Sequence, residues 1–528
     1  MQVNPYNFPV VHQNIPKQQK KPSNSIYPIR LNPMVISTYR PAFKGTYTPN
    51  EQAFIKFRNV LMDFYFDLQQ KGYEAQFAYY RDMSNSKAKQ EYYGYMGALN
   101  FYIINSGDNV SAALKEFETG GINDKDLKRH HNHIAKIFKP TSFKPGKEEE
   151  IINGEGGLNQ LILNGKKDSD EYIEKYIELI KARNEFARTQ TYEEKGRKFK
   201  NYYEYKFKSE YDVDLDNHFK KLDKLKERVE PIYFQLLENP DFDNYYYGTL
   251  IKPIIFKTGK SPEEISKTLF KKLGWDIDDY VNKGNLELDL YPNPNKLPNT
   301  WNISPIDSPN NVKVFANAKD NDIESLRLLN HEFGHAVYEL SLPKTLHKLD
   351  RGYSSTSLTE GIAKLFEDIY LKEPELLKEE LELTNEDIEQ IKDFYPIYAV
   401  SHLYASIDQI YKEKNIYEIP DNELKKSNEE LKHIIQESST QYIENPGYHN
   451  IYLAADMISS QLYDSIKEKA GERPISEVIK PLLAENIFKY GKTKTEKEIL
   501  KDFTGSELSE KSLLKIVEQV EASLKKEE

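Results

Sequence analysis

From Thr48 onward the apolar residues of this chain recur mostly at the spacing of one helix face, and that recurrence constrains the fold more than any other feature. Phe54, Phe57, Leu61, Phe64 and Leu68 fall three or four residues apart, the period of an amphipathic α-helix. Similar stripes run through residues 170–190, 214–238, 374–413 and 508–524, with charged residues on the opposite faces, as on helices with one solvated side. No internal repeat and no cluster of strand–turn–strand signals interrupts them. One short segment, Val312-Lys-Val-Phe-Ala316, alternates and carries β-branched residues, and is predicted to be a strand. The Pro- and Asn-rich residues 291–311 before it are predicted to be irregular. The predicted fold class is mostly α, with a little sheet near residue 312.

Composition narrows the function. A chain of 528 residues with 38% hydrophobic content can bury a large core, either as several modules or as one large enzyme. A net charge of -11 offers no positive field for a phosphate backbone, so nucleic acid is not an expected partner. No run approaches the ~18 apolar residues of a membrane span. Cysteine is absent, which removes disulfides and thiolate chemistry together. Any metal must be held by His, Asp or Glu. The first acidic residue is Glu51. Residues 1–47 are therefore predicted to be a flexible, basic, Pro-containing tail, and 48–528 one helical domain. The tail has no apolar core of a signal peptide, and with the lack of cysteine this points to the cytoplasm, while its acid-poor, basic, Ser-containing composition also suits a transit peptide. Oligomeric state leaves no signal.

The chemistry lies in Leu329-Asn-His331-Glu332-Phe-Gly-His335-Ala-Val-Tyr-Glu-Leu340, which contains H-E-x-x-H. With 11 His and 84 acidic residues, a random match arises roughly 0.02–0.04 times per chain, so the surroundings must decide. Residues 322–342 read as a helix. Asn321 and Glu324 have capping-box spacing, Ile323, Leu326, Leu329, Phe333, Ala336 and Leu340 form one apolar stripe, and Pro343 ends it. On that helix His331 and His335 are one turn apart and point the same way, able to share one zinc ion. Glu332 lies about 100° round the helix, placed to reach a metal-bound water. Two His and a Glu in a buried apolar helix without a partner would be costly.

Catalytic zinc usually takes a third protein ligand. The candidate is Glu360 in Ser357-Leu-Thr-Glu360-Gly-Ile-Ala-Lys-Leu-Phe-Glu-Asp368, near the start of a second helix with stripe Leu358, Ile362, Leu365, Phe366 and Ile369. Ser357-x-x-Glu360 is also a capping box, which would use the same carboxylate.

These segments resemble the gluzincin zinc peptidases of the angiotensin-converting-enzyme, thimet-oligopeptidase and thermostable-carboxypeptidase superfamily. Asn311-Val-Lys-Val-Phe-Ala-Asn317 resembles that family's active-site edge strand. Asn445-Pro-Gly-Tyr448-His449-Asn-Ile-Tyr452 and Ala455-Asp-Met-Ile-Ser-Ser-Gln-Leu462 resemble its later substrate-binding helix, expected near 447–468, and 484–508 its closing segment. The resemblance implies a two-lobed helical ellipsoid with a deep central groove and one zinc ion on its floor. His331, His335 and Glu360 would hold the ion. Glu332 would take a proton from the attacking water and pass it to the leaving amine. Tyr452 would stabilise the oxyanion, His449 would bind a substrate carbonyl or carboxylate, and Tyr448 would line the substrate. Val314 and Ala316 would pair with the peptide backbone. Short peptides are the implied substrates, and oligopeptidase, dipeptidyl carboxypeptidase or carboxypeptidase the implied activity. A non-catalytic peptide-binding protein on the same scaffold is the alternative, and an intact Glu332 speaks against it.

The chain departs from the family pattern at three places, one of them the His449–Tyr452 region, which matches it only to within one residue. Relatives often have an acidic residue four positions after the ligand Glu, to orient a ligand histidine; Lys364 stands there, which transfers the task to a residue such as Glu367 or Asp368. Where many relatives have a histidine about ten residues before the oxyanion tyrosine, this chain has Gln441 and Tyr442. Arg129-His-His-Asn-His133 shares no spacing with a carboxylate and is predicted to be a solvated surface cluster. Thr119–Ile122 and Gly154–Gly157 lack the lysine of a phosphate loop and are predicted to be turns.

Overall fold

The computed structural model describes residues 47–138, 146–154, 156–191, 197–210, 215–297, 301–303, 307–438 and 441–527. The predicted tail, apart from Tyr47, lies outside the described residues. Chain contacts divide the remainder into two compact units. The smaller contains residues 47–67 and 97–138, the larger 68–96 and 146–527.

The smaller unit is built from parts of α1 (Pro49–Arg81) and α2 (Ser86–Thr119), with α3 (Lys125–Ile137). Glu51 ties it together by accepting the backbone N–H groups of Asn123 and Asp124 at 2.8 and 2.9 Å. The N–H of Asp124 leads a set of backbone bonds that hold its carboxyl down at about 2. The histidine cluster on α3 is not solvated as expected. His130 is buried, with its Nδ1 2.7 Å from Arg58 Nη1. His131 Nε2 lies 3.0 Å from Leu114 O. A tertiary partner 72 residues away in sequence is invisible to local periodicity.

The larger unit is mostly α with one small sheet. Helices α4 (Asp170–Thr189) and α5 (Leu215–Leu237) precede three short strands, β1 (Leu286–Asp289), β2 (Trp301–Ile303) and β3 (Val312–Phe315). The predicted strand is therefore real, but it is not an edge. The order is β1-β3-β2, with β3 parallel to β1 and antiparallel to β2. Val314 pairs with Leu288 on one side and Asn302 on the other, and the Ala316 N–H donates to Asp289 O at 2.8 Å.

After the sheet come α6 (Ile323–Leu340), α7 (Thr356–Glu367), α8 (Asn385–Glu418), α9 (Tyr448–Ala470) and α10 (Lys511–Glu527). Asp322, not Asn321, caps α6, its side chain accepting Ser325 N–H at 3.0 Å, while Asn321 takes a φ of 52°. Ser355, not Ser357, caps α7 through Leu358 N–H at 3.1 Å. The Glu360 carboxylate is thus outside any capping box.

Two hydrophobic cores meet these helices. One gathers Trp275, Val314, Phe333, Tyr338, Phe366 and Ile458 under the sheet, α6 and α7. The other gathers Tyr176, Val229, Ile410, Tyr417 and Val517 among α4, α5, α8 and α10. Helices α6, α7 and α9 pack closely because glycine stands at the crossings: a Cβ on Gly334 would come within 3.0 Å of Ala363 Cα, and one on Gly361 within 2.6 Å of Ile458 Cγ2. No helix among the described residues is long and apolar enough to cross a membrane.

Candidate metal centre

Helix α6 carries His331 and His335 one turn apart, with ring centroids 4.8 Å from one another. The α6–α7 contact brings Glu360 to them. Its Oε2 lies 3.3 Å from His331 Nε2 and 3.9 Å from His335 Nε2, and one ligating atom from each residue lies within 4.8 Å of the other two. Tetrahedral zinc at ~2.05 Å from N and O donors separates them by about 3.4 Å. The three buried side chains therefore fit a metal site in chemistry and in spacing. Glu332 follows His331 on the same helix and is 1% exposed.

Each of the three side chains is held from behind. His331 Nδ1 lies 2.6 Å from Glu367 Oε2, so the task left open by Lys364 falls to Glu367. Lys364 instead pairs with Asp456 on α9 at 2.7 Å. Tyr448 donates its hydroxyl to Glu360 Oε1 at 3.2 Å. The Tyr353 hydroxyl lies 3.2 Å from His335 O and 3.4 Å from its Nδ1, and its ring stacks on Tyr338 at 3.9 Å. In a chain with 38 Tyr nothing local in the sequence distinguishes Tyr353.

The electrostatics separate the two histidines. Burial opposes protonation of His331, but hydrogen bonds and charge from Glu360 and Glu367 overcome it and lift its pKa to about 10. Burial dominates at His335 and pushes it down to about 4. Glu367, despite burial, is held well below the usual range by Arg327, Lys364 and His331. Without a metal, His335 is thus already neutral, as ligation requires, whereas His331 carries a proton between Glu360 and Glu367 that a metal ion would displace.

The chain has the fold of the metallocarboxypeptidases. A Pyrococcus furiosus carboxypeptidase aligns with a TM-score of 0.62 at 16% identity, covering 91% of this chain and 99% of its own. Metallocarboxypeptidase 1 of Trypanosoma cruzi aligns with a TM-score of 0.60 at 14% identity, covering 89% and 99%. The M32 carboxypeptidase of Deinococcus radiodurans R1 aligns with a TM-score of 0.60 at 14% identity, covering 90% and 99%. Neither the protein-family models nor the curated proteins include a match to the chain. At these identities the likeness establishes the metallocarboxypeptidase fold and leaves the chemistry to the residues.

The remaining predicted site residues lie on α9 and the sheet. Tyr452 is half-buried, its ring edge-on to Tyr448 at 5.1 Å and 5.8 Å from Lys364 Nζ. His449 packs edge-on against Tyr442 at 5.3 Å, and its buried Nε2 has no hydrogen-bond partner among the described residues. Burial lowers its pKa to about 4, so it is neutral at pH 7. Tyr442 is buried, and its hydroxyl is engaged by Gln409 Oε1 at 2.7 Å, which takes it out of the reckoning as a substrate contact. Val314 is buried and paired on both sides, with Leu288 and Asn302, which leaves no edge there for a substrate backbone, and Ala316 is buried with its N–H given to Asp289 O.

Proposed function

We propose that this chain is a zinc metallopeptidase that hydrolyses peptide bonds in short peptides. The convergence of His331, His335 and Glu360 within 4.8 Å, with Glu332 carried between the histidines on α6, is the observation that carries the reading. These three side chains would hold one zinc ion, which would supply a Lewis acid for water and the scissile carbonyl. Glu332 accepts the proton of the attacking water and delivers it to the leaving amine. Tyr452 donates to the oxygen on which negative charge develops, and neutral His449 is assigned to a polar group of the substrate, which its enclosed Nε2 reaches only when the ring turns outward. Tyr448 belongs with the ligands it steadies, since its hydroxyl is directed at Glu360. A substrate backbone adding to this sheet would pair with an edge strand, β1 or β2, rather than with β3.

Release of residues from peptide C-termini is the first cleavage mode to seek, because the similar structures are carboxypeptidases. The test is zinc per chain by elemental mass spectrometry, on wild type, His335→Ala and Glu360→Ala, followed by product masses from a mixture of unstructured peptides. One zinc in wild type, lost in both variants, with products shortened from the C-terminus, is the expected result. A wild type that takes up no zinc would overturn the reading.

A further inference from the structure

One turn before His331 on α6 stands Arg327. Its Nε and Nη2 bond to Glu324 at 2.9 and 2.7 Å, and its Nη1 bonds to Glu367 Oε1. The second oxygen of Glu367 is the one on His331 Nδ1. A carboxylate on α7 is therefore stretched between a cation and an imidazole that both belong to α6. Both ends of this arrangement are enclosed: the Glu367 side chain is 4% exposed and that of Arg327 17%.

Glu367 has somewhere else to go. A cavity of about 60 Å³ opens beside it, lined among others by Arg327, Lys364, Asp368, Lys372 and Asp456. Lys364 is committed to Asp456, and Lys372 rests on the rings of Tyr395 and Tyr463 at 5.1 and 4.9 Å. Two cations thus border a space into which the Glu367 carboxylate could turn. A buried carboxylate left without a cation is costly, so a Glu367 without Arg327 would need another cation to compensate it. Rotation toward Lys364 or Lys372 would leave His331 Nδ1 unheld and its ring free to tilt. Arg327 blocks this by fixing Oε1, which leaves Oε2 nowhere to point but at His331.

We infer that Arg327 is a positioning residue of the metal centre: it pins Glu367 so that Glu367 aims the Nε2 of His331 at the ion. The inference rests on the zinc reading above and adds to it a residue that touches neither metal nor substrate. Partners behind a metal ligand typically govern ~10–100-fold in affinity. A mere brace between α6 and α7 would instead affect folding alone.

The experiment measures the zinc dissociation constant by chelator competition, and the unfolding midpoint of the metal-free protein, for full-length wild type, Arg327→Met, Arg327→Lys, Glu367→Gln, the Arg327→Met/Glu367→Gln double variant and Glu324→Gln. Arg327→Met is expected to weaken zinc binding by about 10–100-fold, with Arg327→Lys recovering most of it through a point charge. The double variant is expected to bind no more weakly than Glu367→Gln, because the two residues act as one unit. Glu324→Gln, on the outer side of the guanidinium, is expected to stay within about threefold of wild type. Arg327→Met with wild-type zinc affinity, whatever its stability, would overturn the inference while leaving the zinc reading intact. If Arg327→Met does not fold, Arg327→Gln is measured in its place, and wild-type zinc affinity in that variant overturns the inference equally. A wild type that binds no zinc removes the zinc reading and this inference with it.

Discussion

The hydroxyl of Tyr448 donates to Glu360 Oε1 at 3.2 Å, while Oε2 of the same carboxylate faces both histidines. That division of the two oxygens assigns different work to two tyrosines one turn apart on α9. Tyr448→Phe is expected to weaken zinc binding about tenfold by releasing Glu360, with turnover at saturating zinc changed much less. Tyr452→Phe is expected to leave zinc binding unchanged and to lower kcat by about 10²–10³, the cost of one lost oxyanion donor. Chelator competition and steady-state kinetics on both variants check the split, and the opposite pattern would exchange the two roles.

Glu332 is buried beside the ligands but is proposed to handle a proton, not the metal. Glu332→Gln keeps size and hydrogen-bonding capacity while removing the base. Zinc content is expected to remain that of wild type while kcat falls by about 10²–10⁴. Loss of zinc together with activity would place Glu332 among the ligands instead.

What could be seen from the sequence followed from what is local. His331, Glu332 and His335 lie on one helix, so the 3.6-residue period alone placed them on adjoining faces. Glu360 came within reach because its helix has its own apolar stripe. The rest depends on partners distant in sequence. β3 is central because of β1 and β2, strands of four and three residues, too short to show alternation against a helical background. Asn321 and Asp322 are adjacent capping residues, and only the backbone selects Asp322. The burial of His130 requires Arg58, and the importance of Tyr353 and Tyr448 requires the tertiary approach of loops and helices that no spacing reports.

Gly361 follows the proposed ligand Glu360 and faces α9, where a Cβ would lie 2.6 Å from Ile458 Cγ2 and 3.3 Å from Ala455 O. Because the neighbouring atoms include backbone, Gly361→Ala must push the helices apart. The expected cost is about 1–3 kcal/mol, the usual range for overpacking, seen as a lowered unfolding midpoint. Since the same crossing sets the distance from Tyr448 to Glu360, zinc affinity should fall as well. An alanine variant with unchanged midpoint and affinity would show that α7 and α9 slide past one another without effect on the site.

Glu413 supports the start of α9 from below. It is fully buried on α8 and accepts the N–H of Gly447 at 2.8 Å, where the chain takes a φ of 82° just before Tyr448. Burial raises its carboxyl from 4.5 to about 8, against the pull of the Gly447 N–H, Arg183 and Lys206. A carboxyl with its pKa raised on folding contributes stability that is fully present below the unfolded value and is lost as pH rises through the folded one. The native state should therefore lose stability between pH 4.5 and about 8. Glu413→Gln retains an oxygen for Gly447 and cannot ionise. Its unfolding midpoint is expected to match that of wild type near pH 5 and to exceed it at pH 8 and above, flattening the profile between. Parallel profiles for the two proteins in thermal melts across that range would mean that Glu413 ionises in the folded chain without penalty, and that the turn into Tyr448 does not depend on a neutral carboxyl.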